Sequence, residues 1–461
     1  MGWHIHTVTQ SKAGSDVLFL LYNGRSRLIA VISPNPSAVE SLEGLIISAF
    51  DDSQTGGRND QREKGRSMIV EAVESAEEKG FFIKEDLRSD SVLYIRTRDG
   101  AIQAEHVHEA DSYLVYCSML QPPNKIVKSE EEEGGDIALK NRIVAYGKVI
   151  YDNPLASWRM TCTRASVASS PGEKFVYKGV SFYQFLVGGP EHFVHDVEAC
   201  YREIRMINHI ISPHPNVMPP AKYLVYADSG QGGDGSEHRI CGSLYVYCEK
   251  GSLADVLNKT TVERIRLPLS LKARWCFQLC SAMAHVHFKA GSYHQDLKPP
   301  NIIVDDDQNL LIADWEQSGA NPFILAPEAE GEYDVELGDD VNGRTQLVYT
   351  RYEGPTRTHH AFCGTINVFP EWHQSCPRAT EIAEVYSLGR TMWILLEQVG
   401  LEHRPGVSDY STTMVEWSSW SEDLPASWKH KVEASFARDP NARPLMSKLL
   451  DFWEKEWQRF R

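Results

Sequence analysis

Two carboxylates and one carboxamide lie within residues 294–316 at a spacing that suits phosphoryl transfer from a nucleotide. Asp296 is suited to accept the proton of an attacking hydroxyl group. Asn301 and Asp314 carry oxygen atoms of the kind that Mg²⁺ prefers, so we predict that they hold this metal against a triphosphate. These three residues make up the predicted catalytic centre.

A pair of short strands is predicted to position the two metal ligands. The apolar runs Ile302–Val304 and Leu310–Ile312 are separated by an Asp-rich turn at 305–309. Apolar runs on either side of such a turn indicate a tight antiparallel pair. Asn301 and Asp314 flank the two strands, so the turn brings them to the same edge of the sheet.

The composition is typical of an ordinary globular protein with two or three domains. The chain has 461 residues, 42% of them hydrophobic, which argues against wholesale disorder. A formal net charge of −16 argues against nucleic acid or an anionic membrane as a default partner. We find no apolar run of membrane-spanning length and no signal-peptide pattern. Nine cysteines without a disulfide framework favour an intracellular, cytoplasmic protein, with the nucleus left open.

Two polar segments divide the sequence. Residues 51–65 have the composition of a mobile loop, and residues 128–140 contain a run of four glutamates. We place the main boundary at the second segment, which gives a first domain at 1–127, an acidic linker at 128–140 and a second domain at 141–461. The linker is either a solvated hinge or an electrostatic binding tail.

The first domain is predicted to be a small α+β domain of unknown role. Two His-x-His pairs, His4 with His6 and His106 with His108, are either a metal site or ordinary surface histidines. Residue patterns predict strands at 17–22, 28–32, 92–96 and 113–117, and helices at 38–50 and 66–79.

The second domain is predicted to begin with a small sheet lobe and to end with a larger helical lobe. Strand patterns between 148 and 187 precede a helix at 195–211 and further strands, and a mainly helical region follows from about 270. Further motifs appear along this domain in a regular order. They are Phe175-Val176-Tyr177-Lys178, Tyr201-Arg202-Glu203-Ile204, His214-Pro215-Asn216-Val217, Tyr247-Cys248-Glu249-Lys250-Gly251, Cys363-Gly364-Thr365, Phe369-Pro370-Glu371, Ser387-Leu388-Gly389 and Arg438-Asp439-Pro440-Asn441-Ala442-Arg443-Pro444.

With these motifs, the chain from about Ala145 to Arg461 resembles the eukaryotic protein-kinase family, as a divergent serine/threonine kinase-like member. The resemblance implies an α+β, bilobal kinase-like fold that uses ATP and Mg²⁺. It also implies a role for each candidate site residue: Asp296 and Lys298 are catalytic, Lys178, Glu203, Tyr245 and Cys248 bind the cofactor, and Asn301 and Asp314 bind the metal.

The resemblance also assigns structural roles. Lys178 is expected to pair with Glu203, and His294 to pack beneath the metal-binding loop. Glu371 and Arg443 are expected to form a buried ion pair in the helical lobe, where loss of one partner is severely destabilising. Lys298 is typical of serine/threonine-directed members, as is Thr365.

Several departures bear on the nucleotide site. Residues 151–159 contain none of the glycines that would let backbone amides approach the phosphates. Tyr177 is expected to stand where the family carries a small residue above the adenine ring, and a phenol there narrows the nucleotide site unless it turns aside. Asp314-Trp315-Glu316 replaces Asp-Phe-Gly, and its glutamate adds negative charge near the phosphates.

Two further departures concern regulation. Gln295 replaces an arginine that often binds a phosphate on the activation segment. The activation segment is predicted to be unusually long, from Asp314 to Glu371. Its acidic insert at 328–340 is either a disordered loop or a pseudosubstrate or docking element.

Three functions remain open at this point. The first is a serine/threonine protein kinase-like phosphotransferase acting on a protein hydroxyl, and the second is a pseudokinase that serves as a binding or scaffold module. The third is a small-molecule kinase of the choline or aminoglycoside type, which the Arg-Asp-Pro-Asn-Ala-Arg-Pro signature disfavours. The expected partner is a protein substrate or scaffold partner, with neither nucleic acid nor membrane.

Overall fold

The computed structural model describes residues 2–10, 16–23, 26–33, 41–50, 58–98, 101–127, 142–157, 161–211, 213–227, 238–320, 324–341, 343–355, 357, 366–398 and 416–461. The predicted acidic linker and the Cys363-Gly364-Thr365 motif lie outside these ranges. The chain divides into two compact units. The first unit comprises Met1–Ile204 and Ala221–Tyr247, and the second comprises Arg205–Pro220 and Cys248–Arg461.

The first unit begins with a five-stranded sheet in the order β1-β2-β3-β4-β5. Neighbouring strands are antiparallel except for the parallel pair β3 and β4. The elements in chain order are β1 (His4–Gln10), β2 (Val17–Asn23), β3 (Ser26–Ile32), α1 (Leu42–Phe50), α2 (Arg58–Glu78), β4 (Ser91–Arg98), β5 (Ala101–His108), α3 (Ala110–Met119) and α4 (Pro123–Ile126). The strands predicted at 17–22, 28–32 and 92–96 are confirmed.

Two sequence-based predictions in this region are corrected. The segment 113–117 belongs to helix α3, not to a strand, because Tyr113, Tyr116 and Cys117 are buried at the spacing of one helix face. Helix α2 begins at Arg58, so the second half of the predicted loop at 51–65 is helical. Arginine, glutamate, lysine and glutamine favour helices although they also occur in loops. Helix α1 begins at Leu42, and residues 38–40 of the helix predicted at 38–50 lie outside the described ranges.

A second sheet of six strands completes the first unit, in the order β6-β10-β11-β9-β8-β7. Its main helix, α5, is interrupted at Gly189, whose φ of 69° precedes Pro190. The helix therefore begins before the predicted 195–211, and it continues as a π-helix at Met206–Ile210. The elements are β6 (Ile143–Ala145), β7 (Val149–Ser157), β8 (Thr161–Val167), β9 (Phe175–Gly179), α5 (Phe182–Arg205), β10 (Tyr223–Ala227) and β11 (Arg239–Val246).

All seven residues of strand β2 are buried, so both faces of the strand are covered by other parts of the first unit. Phe19 and Leu21 pack into one core with helices α1 and α2, on one side of the five-stranded sheet. Leu20 and Tyr22 point to the other side and share a core with the six-stranded sheet and helix α5. The predicted boundary between the two domains stays a prediction, but their described residues share this core.

The second unit is mainly helical. Helix α9 forms its centre, because almost every one of its residues is buried. The elements are α6 (Leu253–Val262), α7 (Leu269–Phe288), β12 (Ile302–Val304), β13 (Leu310–Ile312), β14 (Tyr333–Val341), β15 (Arg344–Arg351), α8 (Phe369–Ser375), α9 (Pro377–Glu397), α10 (Ala426–Ser435) and α11 (Met446–Phe460).

The fold class is confirmed as α+β, with a β-rich part that carries one main helix and a larger helical part. The acidic segment at 328–340 is not a disordered loop: strands β14 and β15 pair there as an antiparallel hairpin. Among the described residues, none of the helices combines the length and apolarity that a membrane crossing requires.

Candidate active site

Asp296, Lys298 and Asn301 form a hydrogen-bonded group in the second unit. The Lys298 Nζ donates to Asp296 Oδ2 at 2.5 Å. The Asn301 Nδ2 donates to the main-chain oxygen of Asp296 at 2.9 Å and to its Oδ2 at 3.1 Å. The Asp296 side chain remains 17% exposed, so its carboxylate is held in place and is still accessible to a hydroxyl group.

A buried glutamate, Glu384, anchors the loop that carries Asp296 through hydrogen bonds to the loop backbone. The Glu384 Oε1 accepts the N–H of His294 at 2.8 Å and that of Gln295. The Glu384 Oε2 lies 2.7 Å from His287 Nε2. Burial raises the pKa of Glu384, but the hydrogen bond and charge of His287 outweigh it and hold that pKa below its usual range. The glutamate is therefore a fixed anion that orients the loop.

Two residues near the loop have unusual backbone conformations. Gln295 has a φ of 79° and Asp314 a φ of 68°, both in the left-handed region that non-glycine residues rarely adopt. Gln295 is held there by Glu384 and by its own bond to Asn367 Oδ1 at 2.7 Å. Strain of this kind is typical of residues that surrounding contacts force into a functional geometry.

His294 has the structural role that the sequence predicted. Its Nε2 lies 2.8 Å from the main-chain oxygen of Ala313, directly before Asp314. Its ring packs edge-on against Trp315 at 4.5 Å between centroids. The Trp315 side chain is fully buried and donates its indole N–H to the oxygen of Ile312 at 3.0 Å. Trp315 thus fills the place of the aromatic residue it was predicted to replace.

Asn301 and Asp314 lie at the same edge of the β12–β13 pair, as predicted. Ile302 pairs with Ile312, and the Ala313 N–H donates to the Asn301 oxygen at 2.9 Å. Because the Asn301 amide nitrogen bonds to Asp296, the atom it offers to a cation is the carbonyl Oδ1. A carbonyl oxygen and a carboxylate at one strand-pair edge fit Mg²⁺.

Lys178 and Glu203 form an ion pair in the first unit. Lys178 is the fourth of the five residues of β9 and pairs with Cys162 of β8 and Ser243 of β11, and its side chain is 16% exposed. Glu203 projects from α5 and its side chain is 5% exposed. Tyr245 contacts the same glutamate: burial raises the pKa of the phenol well above its usual value, and the charge of Glu203 raises it further.

The predicted site residues therefore fall into two groups. The second unit brings together Asp296, Lys298, Asn301 and Asp314, and the first unit brings together Lys178, Glu203 and Tyr245. Cys248 belongs to the second unit and is partly buried, and burial raises the pKa of its thiol. Its predicted role in cofactor binding stays a prediction.

Of the two possibilities for Tyr177, narrowing the nucleotide site or turning aside from it, the structure shows the second. Its side chain is fully buried in the core of the first unit, and its hydroxyl donates to the oxygens of Cys241 at 3.2 Å and Val180 at 3.3 Å. Successive side chains of a strand point to opposite faces, so Tyr177 and Lys178 cannot share one. The residue that shares the face of Lys178 is Val176, two positions away.

The predicted ion pair between Glu371 and Arg443 is also wrong. Arg443 is fully buried and binds Glu328 in a bidentate manner, at 2.5 and 2.9 Å. The Glu371 side chain is 56% exposed and lies 3.4 Å from Arg357. The activation segment therefore ends at Ala326-Pro327-Glu328, not at Phe369-Pro370-Glu371. The Ala-Pro-Glu sequence was the signal that the sequence reasoning missed.

The glycine-free segment forms strand β7. It pairs with β8 from Val149 to Ser157, with register shifts on both sides of Pro154. Residues 158–160 lie outside the described ranges. The two His-x-His pairs lie on β1 and β5, the opposite edge strands of the five-stranded sheet, so the four histidines do not form one cluster.

Comparison with known proteins finds the protein kinase domain family at residues 190–321. A probable serine/threonine-protein kinase of Dictyostelium discoideum is 25% identical over 206 residues, which is 44% of this chain and 16% of that protein. Human receptor-interacting serine/threonine-protein kinase 1 is 30% identical over 219 residues, or 47% of this chain and 27% of that protein. The chain thus spans well under a third of the length of either relative.

Proposed function

We propose that the chain is a divergent serine/threonine protein kinase-like phosphotransferase, which moves the γ-phosphate of ATP to a protein hydroxyl group, and the protein kinase domain match at residues 190–321 supports this proposal. The observation that carries this proposal is the group formed by Asp296, Lys298 and Asn301. Phosphoryl transfer depends mainly on positioning and charge stabilisation, and this group supplies both.

The catalytic step assigns a separate task to each of these residues. Asp296 accepts the hydroxyl proton as the acceptor oxygen bonds to the γ-phosphorus and the bond to ADP breaks. Lys298 places a positive charge beside the transferred group. Asn301 and Asp314 would hold Mg²⁺, which neutralises charge on the phosphate oxygens when it is bound.

The ion pair in the first unit supports binding of the nucleotide. An ammonium group on a central strand is a suitable point charge for the α- and β-phosphates, and Glu203 orients it. Tyr245 contributes through the hydrogen bond between its phenol and Glu203. In these roles Lys178, Glu203 and Tyr245 affect nucleotide affinity more than proton transfer.

We also propose an intracellular, cytoplasmic location and a protein partner, either substrate or scaffold. The net charge of −16 supports a protein partner over nucleic acid or an anionic membrane. None of the eight cysteines that the structure describes forms a disulfide bond, which suits a reducing compartment.

The proposal is tested by incubating the chain with labelled ATP, Mg²⁺ and peptide pools whose acceptors are serine, threonine or tyrosine. We expect label on serine and threonine peptides with the wild-type chain. Asp296→Asn keeps the hydrogen-bonding shape of the side chain and removes its basicity, so transfer should fall by at least about 10²-fold. Equal transfer by wild type and variant contradicts the proposal, because the label then comes from another source.

A pseudokinase is the second candidate, and the glycine-free strand β7 favours it. Without glycines, backbone amides cannot approach the phosphates closely, at a cost of roughly 2–4 kcal/mol, or about 30- to 1,000-fold in rate. For a scaffold, Asp296→Asn should leave the biological role intact in cells whose own copy is replaced. Loss of that role together with loss of transfer excludes the scaffold function.

A further inference from the structure

Helix α5 carries Glu203, so whatever holds this helix in place also holds the ion pair with Lys178. Two residues before Glu203, Tyr201 is 1% exposed. Its hydroxyl donates to the main-chain oxygen of Ile240, at the start of β11, at 2.7 Å. The hydroxyl oxygen of Tyr201 in turn accepts the main-chain N–H of Gln121 at 2.8 Å. A single phenol thus ties the helix to the sheet and to the end of the N-terminal region.

The segment Leu120–Gln121 is itself bound to strand β11. The Ile240 N–H donates to the Gln121 oxygen at 2.9 Å, and Gln121 and Ile240 form an antiparallel bridge. The Arg239 Nη1 donates to the Leu120 oxygen at 3.0 Å. These bonds to β11 hold Leu120–Gln121 in place. The segment is therefore a fixed support for α5.

The N-terminal region also holds the beginning of α5. In helix α3, the Tyr113 ring packs on Phe182 at 5.1 Å between centroids, and the Tyr116 ring packs on Phe193 at 5.3 Å. The Tyr183 hydroxyl donates to the oxygen of Leu18 in β2 at 3.1 Å. Supports at both ends leave α5 little freedom to shift or rotate.

We infer that residues 110–121 act within the chain as a permanent brace of α5, with Tyr201 as the positioning residue that keeps Glu203 against Lys178. The inference rests on the proposed function, in which the ion pair of Lys178 and Glu203 binds the nucleotide phosphates. It also accounts for Gln295: a helix braced by its own N-terminal region does not need a phosphate on the activation segment to bring Glu203 inward.

The test removes the phenol hydroxyl alone, by Tyr201→Phe, and compares hydrogen exchange in wild-type and variant chains. Because the hydroxyl makes two buried hydrogen bonds, we expect exchange of the α5 amides at 193–205 to rise about tenfold when it is removed. Exchange in β9 and β11 should stay within about twofold of wild type. Equal protection of α5 in both chains overturns the inference, whatever the activity.

A second pair of variants addresses the main-chain donor. Gln121→Pro removes the N–H that Tyr201 accepts, whereas Gln121→Ala keeps it and serves as the matched control. Leu120 already has the extended conformation that a following proline requires, with φ of −82° and ψ of 153°. The proline variant should loosen α5 and the alanine variant should not. The same exchange rate in both contradicts the brace.

A double-mutant cycle separates a positioning role from a merely structural one. If Tyr201 acts through Glu203, Tyr201→Phe should lower kcat/KM about tenfold in the wild-type background and have no further effect in Glu203→Gln. Additive losses overturn the positioning role. If the wild-type chain transfers no phosphate, the proposed function fails, and the exchange comparison alone still decides the brace.

Discussion

At the scale of single residues, side-chain direction decides what Tyr177 does. It follows Val176 and precedes Lys178 on a central strand, and the alternation of the strand turns it into the core. The small-residue position above the adenine ring was assigned to Tyr177, one residue after Val176, which shares the face of Lys178. An error of one residue in aligning a motif on a strand therefore moves a side chain to the opposite face of the sheet.

The buried position of Tyr177 makes a prediction for two neighbouring residues. Tyr177→Phe should cost about 1 kcal/mol of unfolding free energy, because two hydrogen bonds of the hydroxyl are lost, and leave the dissociation constant for ATP unchanged. Val176→Trp puts bulk on the face of Lys178 and should weaken ATP binding at least tenfold. Weaker ATP binding by Tyr177→Phe at unchanged stability would return Tyr177 to the nucleotide site.

The ion pair of Arg443 makes a second prediction. Glu328→Gln leaves the buried guanidinium without its anion and should lower the unfolding free energy by about 3–5 kcal/mol. Glu371→Gln alters an exposed contact and should change it by less than about 0.5 kcal/mol. Urea unfolding of both variants measures the difference. A larger loss for Glu371→Gln would show that the activation segment does end at Phe369-Pro370-Glu371.

The candidate site was predictable where its residues are close in sequence. Asp296, Lys298 and Asn301 stand within six positions, and their mutual bonds follow from that local spacing. Glu328 and Arg443 are 115 positions apart, so spacing does not tell which of two Pro-Glu sequences meets the arginine, and only the alanine of Ala326-Pro327-Glu328 distinguishes them. Pairings between distant residues depend on the path of the chain between them, which periodicity does not reveal.

At the scale of elements, a strand with a continuous hydrophobic run was predicted correctly, whereas a five-residue segment that fits either a strand or a helix was not. Strand β2 is hydrophobic from Val17 to Tyr22 because it is buried on both faces, and that continuous run is unambiguous. All five residues of the segment 113–117 are hydrophobic, and such a short run is compatible with either a strand or a helix. Packing of Tyr113 and Tyr116 on α5 favours the helix.

Contacts between elements also make stability depend on pH through His6. This residue of β1 lies 2.6 Å from Thr163 Oγ1 of β8, and burial, with a smaller effect of His4, lowers its pKa to about 4. The unfolded chain binds a proton near pH 6.5 and the folded chain near pH 4. The folded state is therefore fully favoured above pH 6.5 and loses stability as the pH falls from 6.5 towards 4.

The measurement compares wild type with His6→Gln in urea between pH 7.5 and pH 4.5. Wild-type stability should fall more steeply, by up to about 1.4 kcal/mol per pH unit in this range. His6→Gln keeps a polar partner for Thr163 but does not titrate, so its curve should be flatter. Parallel curves would mean that His6 keeps an ordinary pKa in the folded chain.

At the scale of the whole molecule, the N-terminal sheet and the sheet that carries Lys178 share one hydrophobic core. Arg27 of β3 strengthens this joint: its guanidinium lies between the rings of Tyr146 and Tyr151, at 3.7 and 3.9 Å from their centroids. It also donates to the oxygens of Tyr146 and Val149 at 2.6 and 3.1 Å. The N-terminal region is thus part of the body that carries the ion pair.

The shared core predicts that strands β2 and β9 lose protection together when the core is weakened. Leu20→Ala should lower the unfolding free energy by about 2–5 kcal/mol and raise exchange equally in β2 and in β9. Ile69→Ala, in the other core of the five-stranded sheet, is the matched variant and should do the same. Independent unfolding of the N-terminal region, with β9 still protected, would contradict a single cooperative body.

The central claim is that this chain binds ATP with Mg²⁺ through Asn301 and Asp314 in order to transfer phosphate, and an ATP titration followed by melting temperature tests it most directly. A ligand at 100 times its Kd stabilises the bound state by about 2.7 kcal/mol, which is a shift of several degrees. We predict this shift for wild type with Mg²⁺, and its loss both without Mg²⁺ and in Asp314→Ala. An unchanged melting temperature at millimolar ATP and Mg²⁺ would contradict the claim.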